Sequence, residues 1–208
     1  MSINVVKNTC TRFLLFSDTH GSTGPLYQVL QMESPCDGIL HCGDGLADLE
    51  GIHEKYNIPV YRVAGNEDFM YTDVPDRHLL VTDNCVMLMV HGHQWDLNPY
   101  YDKEFMYKKY SAMAEAASYD GARILIFGHT HKTAIVCING IWLINPGSMY
   151  NDGRSAMNYM VMIAENELIT LHLKKFTGSA CITRDAVKIH CKTERGSKSK
   201  KKIDQSIN

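Results

Sequence analysis

Five short apolar runs in this chain each stop at a cluster of glycine with aspartate, asparagine or histidine. Arg12 to Phe16 ends in Ser17-Asp18-Thr19-His20-Gly21, Gly38 to Cys42 in Gly43-Asp44-Gly45, and Pro59 to Ala64 in Gly65-Asn66-Glu67-Asp68. Val86 to Val90 ends in His91-Gly92-His93, and Arg123 to Phe127 in Gly128-His129-Thr130-His131. Runs this short and this apolar read as buried strands, and the glycines after them read as turns. In open α/β sheets, ligand-binding groups collect beyond the carboxyl ends of the strands. The chain therefore calls for a fold that gathers five strand ends along one rim.

The segments between the runs set the fold class. Pro25 to Met32 reads as a short helix with Pro25 in its first turn. Leu46 to Tyr56 reads as a second, with Leu46, Leu49, Ile52 and His53 at helical spacing. Strand–helix–strand alternation of this kind implies a parallel sheet with right-handed crossovers. The pattern then changes. Leu79 to Thr82 and Val86 to Val90 are separated by Asp83-Asn84, a hairpin signal, and Asn139-Gly140 between Ala134 to Ile138 and Ile141 to Ile144 is a stronger one. Lys103 to Tyr119 reads as a helix whose core stripe is Phe105, Met106, Met113, Ala114 and Ala117. Met157 to Ala164, Leu168 to Lys174 and Ala180 to Cys191 read as further strands. The expectation is an α/β (α+β) fold of two facing mixed sheets with helices outside, forming one domain over residues 1–191.

Composition narrows the function. Of 208 residues, 45% are apolar and 21% charged, the balance of a folded globular protein rather than a disordered or fibrous one. No apolar run reaches the roughly 20 residues of a membrane helix. The four apolar residues Phe13 to Phe16 are too few for a secretory signal. Residues 192–202 carry six basic side chains against Glu194, which leaves 15 basic and 22 acidic residues elsewhere. That acidic body argues against broad nucleic-acid binding, and residues 192–208 read as a basic, solvated tail. Seven cysteines with no C-x-x-C spacing fit a reduced cytoplasmic protein and give no thiolate zinc site.

Taken together, the five clusters offer two carboxylates, one amide and up to five imidazoles. This exceeds the needs of one tetrahedral zinc and suits two metals that share a carboxylate. Mixed nitrogen and oxygen donors without thiolate point to Mn²⁺, Fe or Zn²⁺. Two such ions about 3.5–4 Å apart can clamp a phosphoryl centre. His41, His53, His78, His172 and His190 fall outside the clusters and read as structural or surface residues, and Trp95 reads as a packing residue.

The ordered series Asp18-x-His20, Gly43-Asp44, Gly65-Asn66, His91-Gly92-His93 and Gly128-His129-Thr130-His131, with Asn145-Pro146-Gly147-Ser148 beyond it, resembles the calcineurin-like metallophosphoesterase superfamily. The His-Gly-His and Gly-His-Thr-His forms resemble its small YfcE-type phosphodiesterases. The resemblance implies a four-layer metallophosphoesterase sandwich. It implies one metal on Asp18, His20 and His131, a second on Asn66, His91 and His129, and Asp44 bridging both, with Mn²⁺ first among Mn²⁺, Fe, Zn²⁺ and Ni²⁺. It assigns catalysis to Asp44, Asn66, His91 and His20, and substrate contact to Asn66 and His93. The implied reaction is hydrolysis of a small phosphodiester by a metal-activated hydroxide, with no membrane partner and with homo-oligomers open. Two alternatives accompany it: a phosphomonoesterase or protein phosphatase, and a non-catalytic scaffold like the related subunit of retromer. The sequence departs from the family at Glu67, where many family phosphatases have histidine and the YfcE branch often has cysteine. A carboxyl beside two cations stays ionised, so Glu67 is expected to orient a neighbour or face solvent rather than donate a proton.

Overall fold

A computed structural model of the chain describes residues 1–7, 10–83, 85–153 and 156–191. Asn84 and the basic segment 192–208 lie outside the described residues. Two six-stranded mixed sheets face each other. One runs in the order β1 (Ser2–Val6), β5 (Arg77–Thr82), β6 (Val86–Val90), β7 (Ile124–Ile126), β9 (Ile141–Asn145), β8 (Ala134–Ile138). The other runs β12 (Cys181–His190), β11 (Leu168–Phe176), β10 (Met157–Glu165), β2 (Cys10–Phe16), β3 (Gly38–His41), β4 (Val60–Arg62). Among the described residues no helix is long and apolar enough to cross a membrane.

Alternation along the strands builds the layers. On β2, Phe13 and Leu15 point into the space between the sheets, where they join Leu40, Met87, Met89, Ile124 and Ile126 in one core. Leu14 and Phe16 point the other way, onto Leu26, Val29 and Leu30 of helix α1 (Thr23–Glu33). Helix α3 (Lys103–Tyr119) covers the other sheet with Met113, Ala114 and Ala117 against Leu88, Leu125 and Leu143. The result is helix, sheet, sheet, helix. Each fully buried leucine or phenylalanine in these layers contributes about 1.5–3 kcal/mol.

The structure corrects the sequence reading at three places. The stretch 46–56 is a 3-10 turn, Leu46–Leu49, followed by the short helix α2 (Ile52–Tyr56), with Gly51 at φ +74° between them. The break exists because Asp48 turns its carboxylate toward the loop after β2, where it accepts the Gly21 N–H at 2.9 Å and the Thr23 hydroxyl. Phe105 leaves the α3 core stripe; it is 41% exposed and packs edge-on against Tyr101. Strand β1 went unrecognised because it is an edge, with Ile3 and Val5 both exposed.

A buried ionic cluster ties α1 to its sheet. The Glu33 carboxylate accepts from Tyr159 at 2.7 Å, from Lys174 at 2.8 Å and from Arg12 at 2.6 Å. Burial works against the charged carboxylate, but these donors outweigh it and hold its pKa below the usual range. A depressed carboxylate pKa contributes stability above the unfolded value, near 4.3, and loses it as pH falls toward the folded value. Glu33→Gln is therefore expected to cost about 2–3 kcal/mol at pH 7 and to flatten the acid limb of the stability curve, measured by urea unfolding from pH 7 to pH 3.

Register brings the site-bearing loops together. β2, β3 and β4 are parallel, with Phe16 opposite His41 and His41 opposite Arg62. β6, β7 and β9 are parallel too, with Met89 opposite Ile126 and Ile126 opposite Ile144. The segments that follow these strands emerge side by side on one rim.

Candidate metal centre

The first strand-end loops are held by backbone bonds across the sheet. The Asp18 amide donates to the Gly43 carbonyl at 3.0 Å and the His20 amide to the Asp44 carbonyl at 3.2 Å. The His129 amide donates to the Asp18 carboxylate at 3.0 Å, so the loop after β7 is seated on the loop after β2. Asp18, His20, Asp44, His129 and His131 all have φ between +42° and +66°. Left-handed backbone is costly for non-glycine residues and tends to cluster at functional sites. Here five of the seven sequence-derived ligand positions adopt it.

The side chains converge in two groups. In one, His131 Nε2 lies 3.3 Å from Asp18 Oδ1 and 3.3 Å from His20 Nε2. In the other, His91 Nε2 lies 3.1 Å from Asp44 Oδ2, 3.1 Å from Asn66 Oδ1 and 3.2 Å from His129 Nδ1. Asp44 belongs to both neighbourhoods. Its carboxylate is within 4.8 Å of ligand atoms on His91 and His129, and also of those on His20 and Glu67. His93 sits beside the second group, its ring 5.5 Å from that of His91.

This spacing suits a divalent ion as well as it suits hydrogen bonds. Two donors about 2.1 Å from one ion and 90–109° apart stand about 3.0–3.4 Å from each other, the spacing of these groups. His91 Nδ1 donates to the Cys42 carbonyl at 2.6 Å, which leaves the Nε2 lone pair of the neutral ring aimed at Asp44, Asn66 and His129. Burial opposes the charged form of His91, yet the Asp44 hydrogen bond and the Asp18 and Asp44 charges lift its pKa above that of free imidazole. The bond to Asp18 lifts His131 in the same way, against burial. Burial also opposes an ionised Asp44, but His91 draws its pKa below the usual value. Burial and the charge of His91 push His129 and His93 down. A divalent cation at this place would supply the positive charge that these carboxylates attract.

Glu67 faces the rim, 64% exposed, with its carboxylate 3.1 Å from His20 Nδ1. Its amide donates to Asp44 Oδ1 at 2.8 Å. Its carboxylate thus touches His20, and its backbone touches Asp44.

Beneath the candidate ligands lie supporting groups, of which the sequence assigned no role to Asp68 and read His41 as structural or surface. Buried Asp68 accepts four backbone N–H bonds, from Asp44 and Gly65 on one oxygen at 2.7 and 2.9 Å, and from Gly45 and Leu46 on the other at 3.0 Å each. Buried His41 accepts the Gly43 amide on Nδ1 at 3.2 Å and reaches Thr19 Oγ1 with Nε2 at 3.3 Å; burial holds its pKa down at about 4. Asn145 donates to the Gly128 carbonyl at 2.7 Å, and Ser148 donates to the Asp18 carbonyl at 2.9 Å. Carboxylates and amides in polar loops look alike in a sequence. Only Asn145-Pro146-Gly147-Ser148 carried a usable signal, through its place in the family motif series.

Gly65 is required for close approach. A Cβ there would overlap the Asp44 carboxylate, which the Glu67 amide and His91 hold, and lie 2.5 Å from the Asp44 amide nitrogen, which donates to Asp68. Gly65→Ala is expected to displace Asp44 and lower bound manganese at least tenfold at limiting metal, read by elemental analysis of the purified protein.

The profile of the calcineurin-like phosphoesterase superfamily domain matches residues 12–167. The chain belongs to this superfamily. It is 31% identical over 173 residues to YsnB of Bacillus subtilis, a probable metallophosphoesterase, covering 80% of this chain and 92% of that protein. The fold is similar to that of Vps29 from Entamoeba histolytica complexed with Zn²⁺, with a TM-score of 0.65 at 19% identity, covering 87% of this chain and 99% of that one. It is also similar to YfcE, a phosphoesterase from E. coli, with a TM-score of 0.53 at 17% identity, covering 87% of this chain and all of that one. These structural likenesses establish the layered sandwich. The superfamily uses divalent metals, and the rim gathers side chains of the kind that could hold them.

Proposed function

We propose that the chain is a dinuclear metal-dependent phosphoesterase that hydrolyses phosphodiesters. The observation that carries this reading is the convergence of seven side chains into two groups joined by Asp44. Asp18, His20 and His131 would hold one ion, Asn66, His91 and His129 the other, with Asp44 shared between them. Nitrogen and oxygen donors without thiolate favour Mn²⁺, with Fe, Zn²⁺ and Ni²⁺ as substitutes. When bound, such ions lower the pKa of water and neutralise charge on phosphoryl oxygens.

The chain's own groups prepare the site. The Cys42 carbonyl fixes the His91 tautomer, and Glu67 fixes the His20 ring. Asn66 offers an amide, and His93 an imidazole at 5.5 Å from His91, to the substrate. Diesters are favoured over monoesters because Glu67 adds a carboxylate to the wall of the open cleft formed with His20, His131 and Tyr150. A dianionic monoester meets more repulsion there than a monoanionic diester. The free thiols of Cys36, Cys42, Cys85, Cys137, Cys181 and Cys191 fit a reducing cytoplasm.

The test compares kcat/KM of the manganese-loaded protein on bis(4-nitrophenyl) phosphate and on 4-nitrophenyl phosphate. The diester is expected to be the better substrate. Faster monoester turnover makes the protein a phosphomonoesterase. Bound metal with no turnover of either ester, across Mn²⁺, Fe, Zn²⁺ and Ni²⁺, makes it a scaffold.

A further inference from the structure

The cleft over the metal-binding groups has a volume of about 360 Å³ and four lining residues: His20, Glu67, His131 and Tyr150. Three of them are tied up within the site. His20 and His131 are ligand groups, and Glu67 holds His20. Tyr150 remains. Its ring meets the His20 ring edge-on, with centroids 5.5 Å apart and an interplanar angle of 73°. It is 42% exposed, a large aromatic surface left open at the mouth of the site.

Its placement is built rather than incidental. The Tyr150 amide donates to Ser148 Oγ at 2.9 Å, and that same hydroxyl donates to the Asp18 carbonyl at 2.9 Å. The next amide, of Asn151, donates to Ser22 Oγ at 2.9 Å, just before α1. The backbone carrying Tyr150 is thus anchored on both sides to the loop that carries Asp18 and His20. That anchoring sets the Cα of Tyr150 beside those groups, and the ring rests edge-on against His20.

We propose that Tyr150 is a specificity residue, which stacks a flat, uncharged ester substituent of the substrate against the cleft wall beside His20. The inference rests on the phosphodiesterase reading and adds the class of ester. An exposed ring lining the cleft beside His20 offers a π-face, and a planar group of a bound ester would use that face where an alkyl group would not. The only carboxylate on the wall, Glu67, disfavours a second anionic group in the same space. Together they select a flat neutral substituent, an aryl group or a nucleoside, over a further phosphate.

The test uses two diesters with the same leaving group, bis(4-nitrophenyl) phosphate and methyl 4-nitrophenyl phosphate, and the variants Y150A and Y150F in the manganese-loaded protein. The wild type is expected to prefer the bis-aryl ester. In Y150A that preference, the ratio of the two kcat/KM values, falls about tenfold, the typical effect of losing one aromatic stacking partner. In Y150F it is kept. A readout independent of turnover is calorimetric affinity of the metal-loaded protein for adenosine 5′-monophosphate and for methyl phosphate. Y150A is expected to weaken the first about tenfold more than the second. Equal loss on both esters and both ligands would make Tyr150 a support for His20 only and overturn the proposal, as would a ratio that does not move. A wild type that turns over neither diester defeats the phosphodiesterase reading, and this inference with it. A wild type active on the methyl ester with an unmoved ratio in Y150A defeats this inference alone.

Discussion

Asp44→Asn lowers turnover of an activated diester by about a thousandfold or more, and it lowers bound metal in parallel, while the chain stays folded. The expectation follows from position. The Asp44 carboxylate lies within reach of histidines in both candidate groups, with Oδ2 3.1 Å from His91 Nε2 and Oδ1 accepting the Glu67 amide at 2.8 Å. The amide of asparagine removes the negative charge that both sets of imidazoles surround. It also replaces an acceptor oxygen by an NH₂ group on one side. A thousandfold loss corresponds to about 4 kcal/mol of transition-state stabilisation. The fold is spared because Asp44 is held in place through its backbone N–H to Asp68, which the substitution leaves intact. Steady-state kinetics, elemental analysis and a thermal melt read the three outcomes separately. Retention of more than a tenth of the activity contradicts the bridging role.

The second large effect falls on a residue that touches no metal in this account. Asp68→Ala is expected to destabilise the chain by about 4 kcal/mol and to abolish metal binding with it. Four backbone N–H groups, from Asp44, Gly45, Leu46 and Gly65, lose their acceptor at once. Each buried unsatisfied donor costs about 1–3 kcal/mol, reduced where water enters the vacated space. That loss is a large part of the roughly 5–15 kcal/mol that holds a domain together. Asp68→Asn keeps one acceptor oxygen and turns an NH₂ toward two of the donors, so it falls between wild type and alanine. Urea unfolding of the two variants, with manganese titrated into each, checks the order. An alanine variant within 1 kcal/mol of wild type contradicts the bracing role.

The contrast between Asp44 and Asp68 explains what the sequence made legible. The ligand residues follow apolar runs and recur five times, so their pattern shows without any structure. The strands that bear them, helix α3 and the Asn139-Gly140 hairpin follow from periodicity and turn chemistry, and the structure places Asn139 and Gly140 at φ +52° and +80° as that turn requires. Asp68, His41 and Asp48 act through contacts with residues about 20 to 30 positions away or with a neighbouring loop. Nothing in their local sequence separates them from solvated turn residues. The break at Gly51 had the same origin, since Leu46, Leu49 and Ile52 are all buried as helical spacing predicts, yet Asp48 is drawn toward the site. Strand β1 hid because an edge strand buries few side chains and leaves Ile3 and Val5 outside.

The proposed function requires the seven side chains to form a two-metal cage. The most direct measurement is anomalous diffraction from crystals of the full chain grown with manganese. Two peaks are expected about 3.5–4 Å apart, one ringed by Asp18, His20, His131 and Asp44, the other by Asp44, Asn66, His91 and His129. A single peak away from Asp44, or none at saturating manganese, would contradict it.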